Sequence, residues 1–317
     1  MVRSATPRLS TAASRPSMKR MPMSISPPWR HAFLALVVVT VWGTNFVVIK
    51  TALGQFPPLL FAALRFTLAV FPAIFFLKRP DVLWRNLAAY GVLIGVGQFG
   101  ILYVAMNGKN SPGLASVVMQ SQVSFTILLS VWLDGEKVRS IQCVAIVLAA
   151  VGIGVIAWHT DHSTTIVGLG MSLFTALSWA GGNIVARRSG KINMLSYVVW
   201  ASLFSLPPLF ALSLLLEGWT AVEETLRHAD ATGWAGVLWQ SVGNTLFGFV
   251  AWGWLLARHP AATISPLALL ILVVGLASAV WWLGEPMPTW KIVAALLVIG
   301  GVALNTLWPL RPSGARN

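Results

Sequence analysis

Ten long apolar segments constrain this chain more than any other feature of its sequence. Each is close to the length of about 20 residues that an α-helix needs to cross the roughly 30 Å hydrocarbon core of a bilayer. Short hinges containing Gly, Pro, Asn or charged residues separate them, so neighbouring helices should form antiparallel hairpins. The sequence therefore predicts an all-α integral membrane protein with ten transmembrane helices. They lie at about residues 31–53, 57–77, 87–106, 112–133, 141–158, 166–187, 195–216, 234–257, 261–283 and 290–308.

The composition excludes a soluble protein. The 317 residues are 56% hydrophobic and 10% charged, whereas soluble domains carry about 25% charged residues. The net charge of +13 is spread over tails and short loops rather than gathered on one face, so it does not indicate nucleic-acid binding. A single cysteine, Cys143, excludes a disulfide framework and a cysteine-based metal site. No motif in the sequence indicates a cofactor.

Two polar tails flank the apolar segments. Residues 1–29 are rich in Ser, Arg and Pro and contain no acidic residue, a composition that cannot form a buried core. We expect a disordered basic N-terminal tail there, with Met18, Met21 and Met23 as alternative starts. Residues 309–317 should form a short C-terminal tail.

The distribution of Lys and Arg predicts the orientation in the membrane. With the N-terminus in the cytoplasm, 17 of the 22 fall on the cytoplasmic side and two within apolar segments, while Lys109, Arg227 and Lys291 fall outside. Cytoplasmic loops of membrane proteins carry the excess of Lys and Arg. Both termini should therefore be cytoplasmic, with the protein in the cell membrane (plasma or inner membrane). The acidic loop from Glu217 to Gly233 should be external and solvated.

An ordered series of matches relates the second half of the chain to the first. The matches are Trp42 and Lys50 with Trp179 and Arg187, Arg65 and Pro72 with Trp200 and Pro207, Gly135-Glu136 with Gly284-Glu285, and Gly152 with Gly301. Such a series indicates an internal repeat, with halves at residues 30–158 and 164–308. Because each half has five predicted helices, an odd number, the second should be inverted relative to the first. Inverted repeats are typical of transporters, whose site lies near mid-membrane between the repeats.

The motifs that carry this repeat resemble a known family. The run WGTNFVVIK (residues 42–50), the run FAALRF (61–66), the two Gly-Glu pairs and the five-plus-five plan are similar to the EamA family of the drug/metabolite transporter superfamily. Within it, the pattern is most similar to exporters of O-acetylserine and cysteine. The resemblance covers residues 30–308. It implies a ten-helix bundle that exports small amino-acid-like metabolites through a central cavity by alternating access.

Two charged residues lie within the predicted spans, and the hypothesis about function starts from them. Arg65 is the ninth residue of its segment, about 13 Å deep at 1.5 Å per residue, too deep to reach the surface easily. Its partner should be a substrate anion, a backbone carbonyl or water. Lys50 lies within a turn of the external end. It either attracts substrate there or extends its amine outwards.

Aromatic and polar residues at helical spacing are further candidates for the substrate path. Trp42 and Trp179 fall near mid-membrane, either in the wall of a cavity or as packing residues. Polar residues recur at mid-span and either line the path or form hydrogen bonds between helices. They are Asn45, Gln98, Gln120, Asn183 and Asn244, with Gln240 one turn before Asn244. Gln122 is about 200° from Gln120 on an ideal helix and should face elsewhere.

Other functions compete with metabolite export. A carrier of other organic anions, sugar phosphates or nucleotide sugars explains Lys50 and Arg65 equally well, although two phosphate charges would require more buried cations. A membrane scaffold protein explains the helices but not a buried charge. An enzyme is not expected, because no catalytic arrangement is present in the sequence. No Asp or Glu lies within a predicted span, so we expect facilitated diffusion or exchange rather than coupling to protons.

Overall fold

The computed structural model describes residues 28–160, 164–190, 192–259 and 261–307, and every regular element in these ranges is helical. The predicted tails lie outside the described residues, apart from Pro28 and Trp29. We number the helices α1 to α11. They are α1 Trp29–Ala52, α2 Pro58–Val70 followed by a 3₁₀ turn at Ala73–Phe75, α3 Trp84–Met106, α4 Pro112–Asp134, α5 Ser140–Trp158, α6 Ile166–Arg188, α7 in two pieces at Met194–Ser202 and Leu206–Leu216, α8 Trp219–His228, α9 at residues 231–258, α10 at residues 261–283 and α11 Thr289–Leu307.

A helix occupies each of the ten predicted apolar segments to within a few residues. Eight of these helices are long and apolar enough to cross a membrane, and α7 is a ninth if its two pieces, bent by 40°, form one span. Helix α9 is not among them. It contains four polar residues within six positions, which lower its mean hydropathy: Gln240, Ser241, Asn244 and Thr245. The all-helical, multi-pass membrane fold is therefore confirmed, whereas a tenth crossing depends on α9.

The irregularities of the helices repeat between the two halves of the chain. A π-helical segment at Val92–Gly100 in α3 has its counterpart at Trp239–Phe247 in α9, and a 3₁₀ turn at Met119–Ser121 in α4 corresponds to Ser265–Leu269 in α10. Helix α2 ends just before Pro72 and the break in α7 lies just before Pro207, since proline cannot donate the hydrogen bond that continues a helix. The repeat seen in the sequence is thus present in the backbone.

Both Gly-Glu pairs end their helices in the same way. Gly135 after α4 and Gly284 after α10 are left-handed, with φ of 66° and 63°. In each case the N–H groups of the glycine and of the following glutamate return to carbonyls of the last helical turn. This is a Schellman cap, in which glycine is favoured because other residues are strained at positive φ. The motif therefore serves first to stop the helix and to direct the glutamate away from the helix axis.

Helices α5 and α11, the last of each half, cross at matching glycines. A Cβ atom on Gly301 would lie 2.6 Å from the Ala145 carbonyl oxygen, and one on Gly152 would lie 3.0 Å from the Ala294 carbonyl oxygen. The two contacts are equivalent, because Gly152 and Ala145 in the first half correspond to Gly301 and Ala294 in the second. Small residues at such crossings let membrane helices approach closely, and here they produce a crossing that is symmetric between the repeats.

The loop from Glu217 to Gly233 is not simply solvated, which corrects the sequence-based expectation. It contains helix α8, and the carboxylate of Glu217 accepts hydrogen bonds from the first-turn N–H groups of Leu59 (2.6 Å) and Leu60 (3.0 Å) in α2 and from the Ser213 hydroxyl (2.7 Å). Anionic groups at a helix N-terminus are stabilising because the N–H groups there lack helical partners. Glu217 therefore ties the end of α7 to the start of α2.

Asp230 is the second structured acid of this loop. Its carboxylate caps α9 by accepting from the N–H groups of Thr232 and Gly233, and it also accepts from the Gln55 side chain. The Gly233 N–H and the Gln55 amide lower the pKa of Asp230 below its usual value. The loop is thus fixed at both of its ends by carboxylates.

Candidate functional site

Arg65, on α2, is buried against α3 and α9, with 1% of its surface exposed. Its Nη1 donates to the Tyr103 hydroxyl (2.8 Å) and to Gln240 Oε1 (2.9 Å), and its Nη2 donates to Thr245 Oγ1 (2.7 Å). All three acceptors are uncharged. Among the described residues no carboxylate pairs with Arg65, so a buried positive charge is held here by neutral groups alone.

Two aromatic rings complete the surroundings of the guanidinium. The Arg65 Cζ atom lies 3.9 Å from the centroid of Phe99 and 4.9 Å from that of Phe66, close enough for favourable cation–π contact. Its Nε atom is buried and has no hydrogen-bond partner among the residues that the structure describes. A carboxylate can bind a guanidinium through two parallel hydrogen bonds, and the Arg65 Nε–H group could donate one of them.

A chain of side-chain hydrogen bonds extends from Arg65 to α1. The Tyr103 hydroxyl donates to Gln240 Oε1 (3.1 Å), and Gln240 Nε2 donates to Asn45 Oδ1 (2.5 Å). Asn244 approaches the same Gln240 oxygen at 3.5 Å, and the Trp42 indole donates to the Asn244 carbonyl at 3.0 Å. Four predicted candidates, Trp42, Asn45, Arg65 and Asn244, are therefore brought together around Gln240.

The π-helical segment of α9 positions two of the Arg65 ligands. Gln240 and Thr245 are five residues apart, which on a regular α-helix would place them on different faces. The wider π turn aligns them, and Thr245 Oγ1 donates to the Gln240 carbonyl (2.9 Å). Single π turns inside α-helices are frequent at functional sites. Thr245 was not predicted, because regular helical spacing does not place it on the face of Gln240, and Tyr103 was not predicted either.

The remaining polar candidates lie elsewhere along the helices. Gln98 is buried in the π-helical segment of α3, and Trp179 packs between the core around Tyr103 and the core around Tyr197. Asn183 donates to Gln122 Oε1 at 3.1 Å. Asn183 is therefore bonded to Gln122 rather than to the predicted Gln120, which lies in the 3₁₀ turn Met119–Ser121 just before it.

Lys50 lies near the end of α1 and Lys291 near the start of α11, and the two lysines have different kinds of partner. Lys50 donates at 3.5 Å to the Met106 carbonyl. Lys291 was expected outside the membrane, but it lies in the first turn of α11 with 2% of its side chain exposed and pairs with Glu285 at 3.0 Å. Glu285 is six residues earlier in the sequence and lies just after the end of α10. Burial within the protein does not place Lys291 within the bilayer, so its position outside the membrane stays a prediction.

An apolar groove is present at one end of α2 and α7, beside α8. It has a volume of about 480 Å³ and is lined by residues that include Leu60, Phe210, Trp219 and Leu226. Arg65 does not line it. The guanidinium is enclosed by protein on all sides in this conformation, so a ligand would reach it only after the surrounding helices move.

A multi-pass helical membrane protein whose two halves repeat the same helix irregularities, with a polar centre between them, has the architecture of a transporter. The chain belongs to the EamA-like transporter family, whose sequence profile matches residues 29–158 and 166–307. The two matches confirm the family resemblance and the presence of two such domains. They also define a transporter rather than an enzyme.

Similar proteins cover almost the whole chain. A probable amino-acid metabolite efflux pump of Salmonella typhimurium is 40% identical over 282 residues, which are 87% of this chain and 94% of that protein. The protein of the same description from Escherichia coli K12 is 39% identical over the same shares. A probable terminal-alkyne amino-acid exporter of Streptantibioticus cattleyicolor is 26% identical, covering 86% of this chain and 91% of its own.

One solved crystal structure has the same fold. It aligns with 91% of this chain and 100% of its own residues, with a TM-score of 0.60 and 17% sequence identity. At this identity the comparison supports the fold and carries no information on substrate.

Proposed function

We propose that the protein exports small amino-acid-like metabolites, of the O-acetylserine and cysteine type, by alternating access between its two repeats. The names of the two relatives that are 40% and 39% identical support amino-acid metabolites as the substrate class. The observation that carries the proposal is the buried environment of Arg65, in which the described part of the chain supplies neither an acid nor a partner for Nε. A buried charge of this kind in a membrane protein usually serves a substrate path.

In this proposal Arg65 binds the substrate carboxylate. The carboxylate would use the Nε edge and displace one of the neutral acceptors, and the exchange is favourable because hydrogen bonds between two charged groups are about twice as strong as neutral ones. Further polar and aromatic side chains near this site and elsewhere along the helices would line the path. They are Trp42, Asn45, Gln98, Gln120, Trp179, Asn183 and Asn244. Lys50 would attract the anion at the outer end.

A second candidate substrate class is an organic anion without an amino group. Among the described residues, no acid that a substrate ammonium would pair with lies beside Arg65. This favours a net negative substrate over a zwitterion on electrostatic grounds. The amino-acid class is preferred because carbonyl oxygens and aromatic faces, both present here, also bind ammonium groups.

The function is tested by comparing the medium of cells that overproduce the protein with that of cells producing equal amounts of Arg65→Ala. We expect amino-acid-like metabolites to accumulate several-fold more with the wild type. Purified protein in liposomes should move the same compound down its gradient when the proton gradient is collapsed. Equal medium profiles would contradict the export function, and strict dependence on the proton gradient would contradict facilitated diffusion or exchange.

The proposed topology has ten crossings, with α9 as one of them and both termini in the cytoplasm of the producing cell. A reporter that is active only in the cytoplasm should be active after Leu310 and inactive when inserted at Glu223 in α8. A reporter that is active only outside should give the opposite pattern. External activity at Leu310 would contradict the charge-based orientation. External activity at both Leu310 and Glu223 would also contradict the ten crossings, because the three helices between these positions must put them on opposite sides.

A further inference from the structure

The end of the protein where α4 and α6 finish is held together by ion pairs. Arg187, near the end of α6, pairs with Asp134 and with Glu136 (3.0 Å), and it also donates to Ser130 Oγ at 3.0 Å. Arg188 pairs with Asp134 at 2.6 Å. Two acids and two guanidiniums thus join the last turn of one repeat's fourth helix to the first helix of the other repeat.

The repeat assigns a counterpart to each of these groups. Arg187 corresponds to Lys50 at the end of α1, Asp134 to Leu283, and Glu136 to Glu285 after α10. The helices that carry them are also equivalent, since α1 packs along α10 as α6 packs along α4. The expected counterpart of the Arg187–Glu136 pair is therefore a pair between Lys50 and Glu285.

In this conformation the counterpart pair is not formed. Among the described residues no ion pair joins Lys50 to an acid. Glu285 instead accepts from the Ser111 hydroxyl (2.5 Å), the Gly113 N–H (2.9 Å) and Lys291 (3.0 Å). Ser111 and the Lys50 acceptor Met106 lie at the two ends of the connection between α3 and α4. A shift of that connection would change both sets of contacts together.

We propose that Lys50 and Glu285 pair in the opposite access state, while Arg187 separates from Asp134 and Glu136. In a protein of two inverted repeats, one access state becomes the other when the two repeats exchange their conformations. A contact that closes one end in the first state should then have a counterpart that closes the other end in the second state. Lys50, which in the proposed function attracts the anion when its end of the path is open, then closes that end in the opposite state. The proposal rests on the alternating access of the proposed function and on no particular substrate.

Cross-linking without substrate tests the exchange. In a Cys143→Ser background, which removes the single cysteine, Lys50→Cys and Glu285→Cys are combined and treated with a short bifunctional methanethiosulfonate. Cross-linked peptides are measured by mass spectrometry. Adding Arg187→Gln should raise the cross-linking rate at least about fivefold, the lower end of typical coupling between distant sites. Arg227→Gln is the control. It breaks a pair with Glu223 on exposed helix α8 and should leave the rate unchanged.

A second reporter guards against local damage at Glu285. The pair Lys50→Cys and Leu283→Cys retains Glu285 with its bonds to Ser111 and Gly113, and it should show the same increase. Rates that do not respond to Arg187→Gln, or absence of both cross-links in protein that elutes as a single folded species, would overturn the proposal. The cross-linking is measured without substrate. A positive result therefore remains valid if the protein does not export amino acids, and a negative result does not contradict amino-acid export.

Discussion

Arg65→Ala is expected to lower kcat/KM for the exported metabolite by roughly 10- to 100-fold, because a hydrogen bond to a charged group contributes about 1.5–3 kcal/mol. Arg65→Lys should give a smaller loss, since lysine keeps the charge but lacks the planar pair of donors. An analogue with its carboxylate amidated should be transported poorly and equally by all three proteins. Initial rates in proteoliposomes measure each of these effects.

The control for this series is Arg79→Ala. Arg79 stacks at 4.0 Å on Trp84 outside the polar centre, so its loss should leave transport near the wild-type rate. If the wild type transported the amidated analogue as fast as the free acid, Arg65 would not be the carboxylate site. Its hydrogen bonds to Tyr103, Gln240 and Thr245 would then have a structural role.

Gln240→Glu is expected to change stability and transport in opposite directions. The substitution places a carboxylate at the oxygen that now lies 2.9 Å from Arg65 Nη1, which gives the buried cation a counter-ion. The Asn45 amide can rotate to donate to the new carboxylate. We expect thermal unfolding in detergent to occur several degrees higher, and transport to fall at least about tenfold because the internal carboxylate occupies the position that the substrate requires.

The matched control is Gln122→Glu. Gln122 contacts Asn183 in α6 at 3.1 Å and is remote from Arg65, so the new charge there lacks a cation and should lower the unfolding temperature. A Gln240→Glu protein that transports at the wild-type rate would contradict carboxylate binding by Arg65. If Gln240→Glu destabilised the protein as much as Gln122→Glu, the charge of Arg65 would already be balanced by its present surroundings, and the stability prediction would be wrong.

Sequence was sufficient for the fold because length and hydropathy alone specify membrane helices. An apolar run of about 20 residues has few alternatives to a spanning helix, since unpaired backbone groups in lipid are costly. Helix α8 escaped this criterion because its residues are mostly polar. Its apolar residues Trp219, Val222 and Leu226 are nevertheless spaced at three and four, a pattern typical of an amphipathic helix on a surface.

The candidate site was only partly predictable, for reasons of local geometry. Arg65, Asn45 and Asn244 stood out as polar groups in apolar helices, and the structure brings them together. Thr245 and Tyr103 did not, because a π turn changes which residues share a face and a tyrosine in a membrane helix is not unusual. The burial of Lys291 was not predictable, because it depends on Glu285, whose direction is set by the left-handed cap at Gly284.

The carboxylate of Glu217 has a mechanical consequence. It is bonded both to its own helix end through Ser213 and to the first turn of α2 through Leu59 and Leu60, and α2 and α7 are equivalent members of different repeats. Any motion of one repeat against the other that keeps these three hydrogen bonds must pivot about this point. The two halves of the protein are then hinged at one corner, and the widest opening must occur at the corner farthest from it.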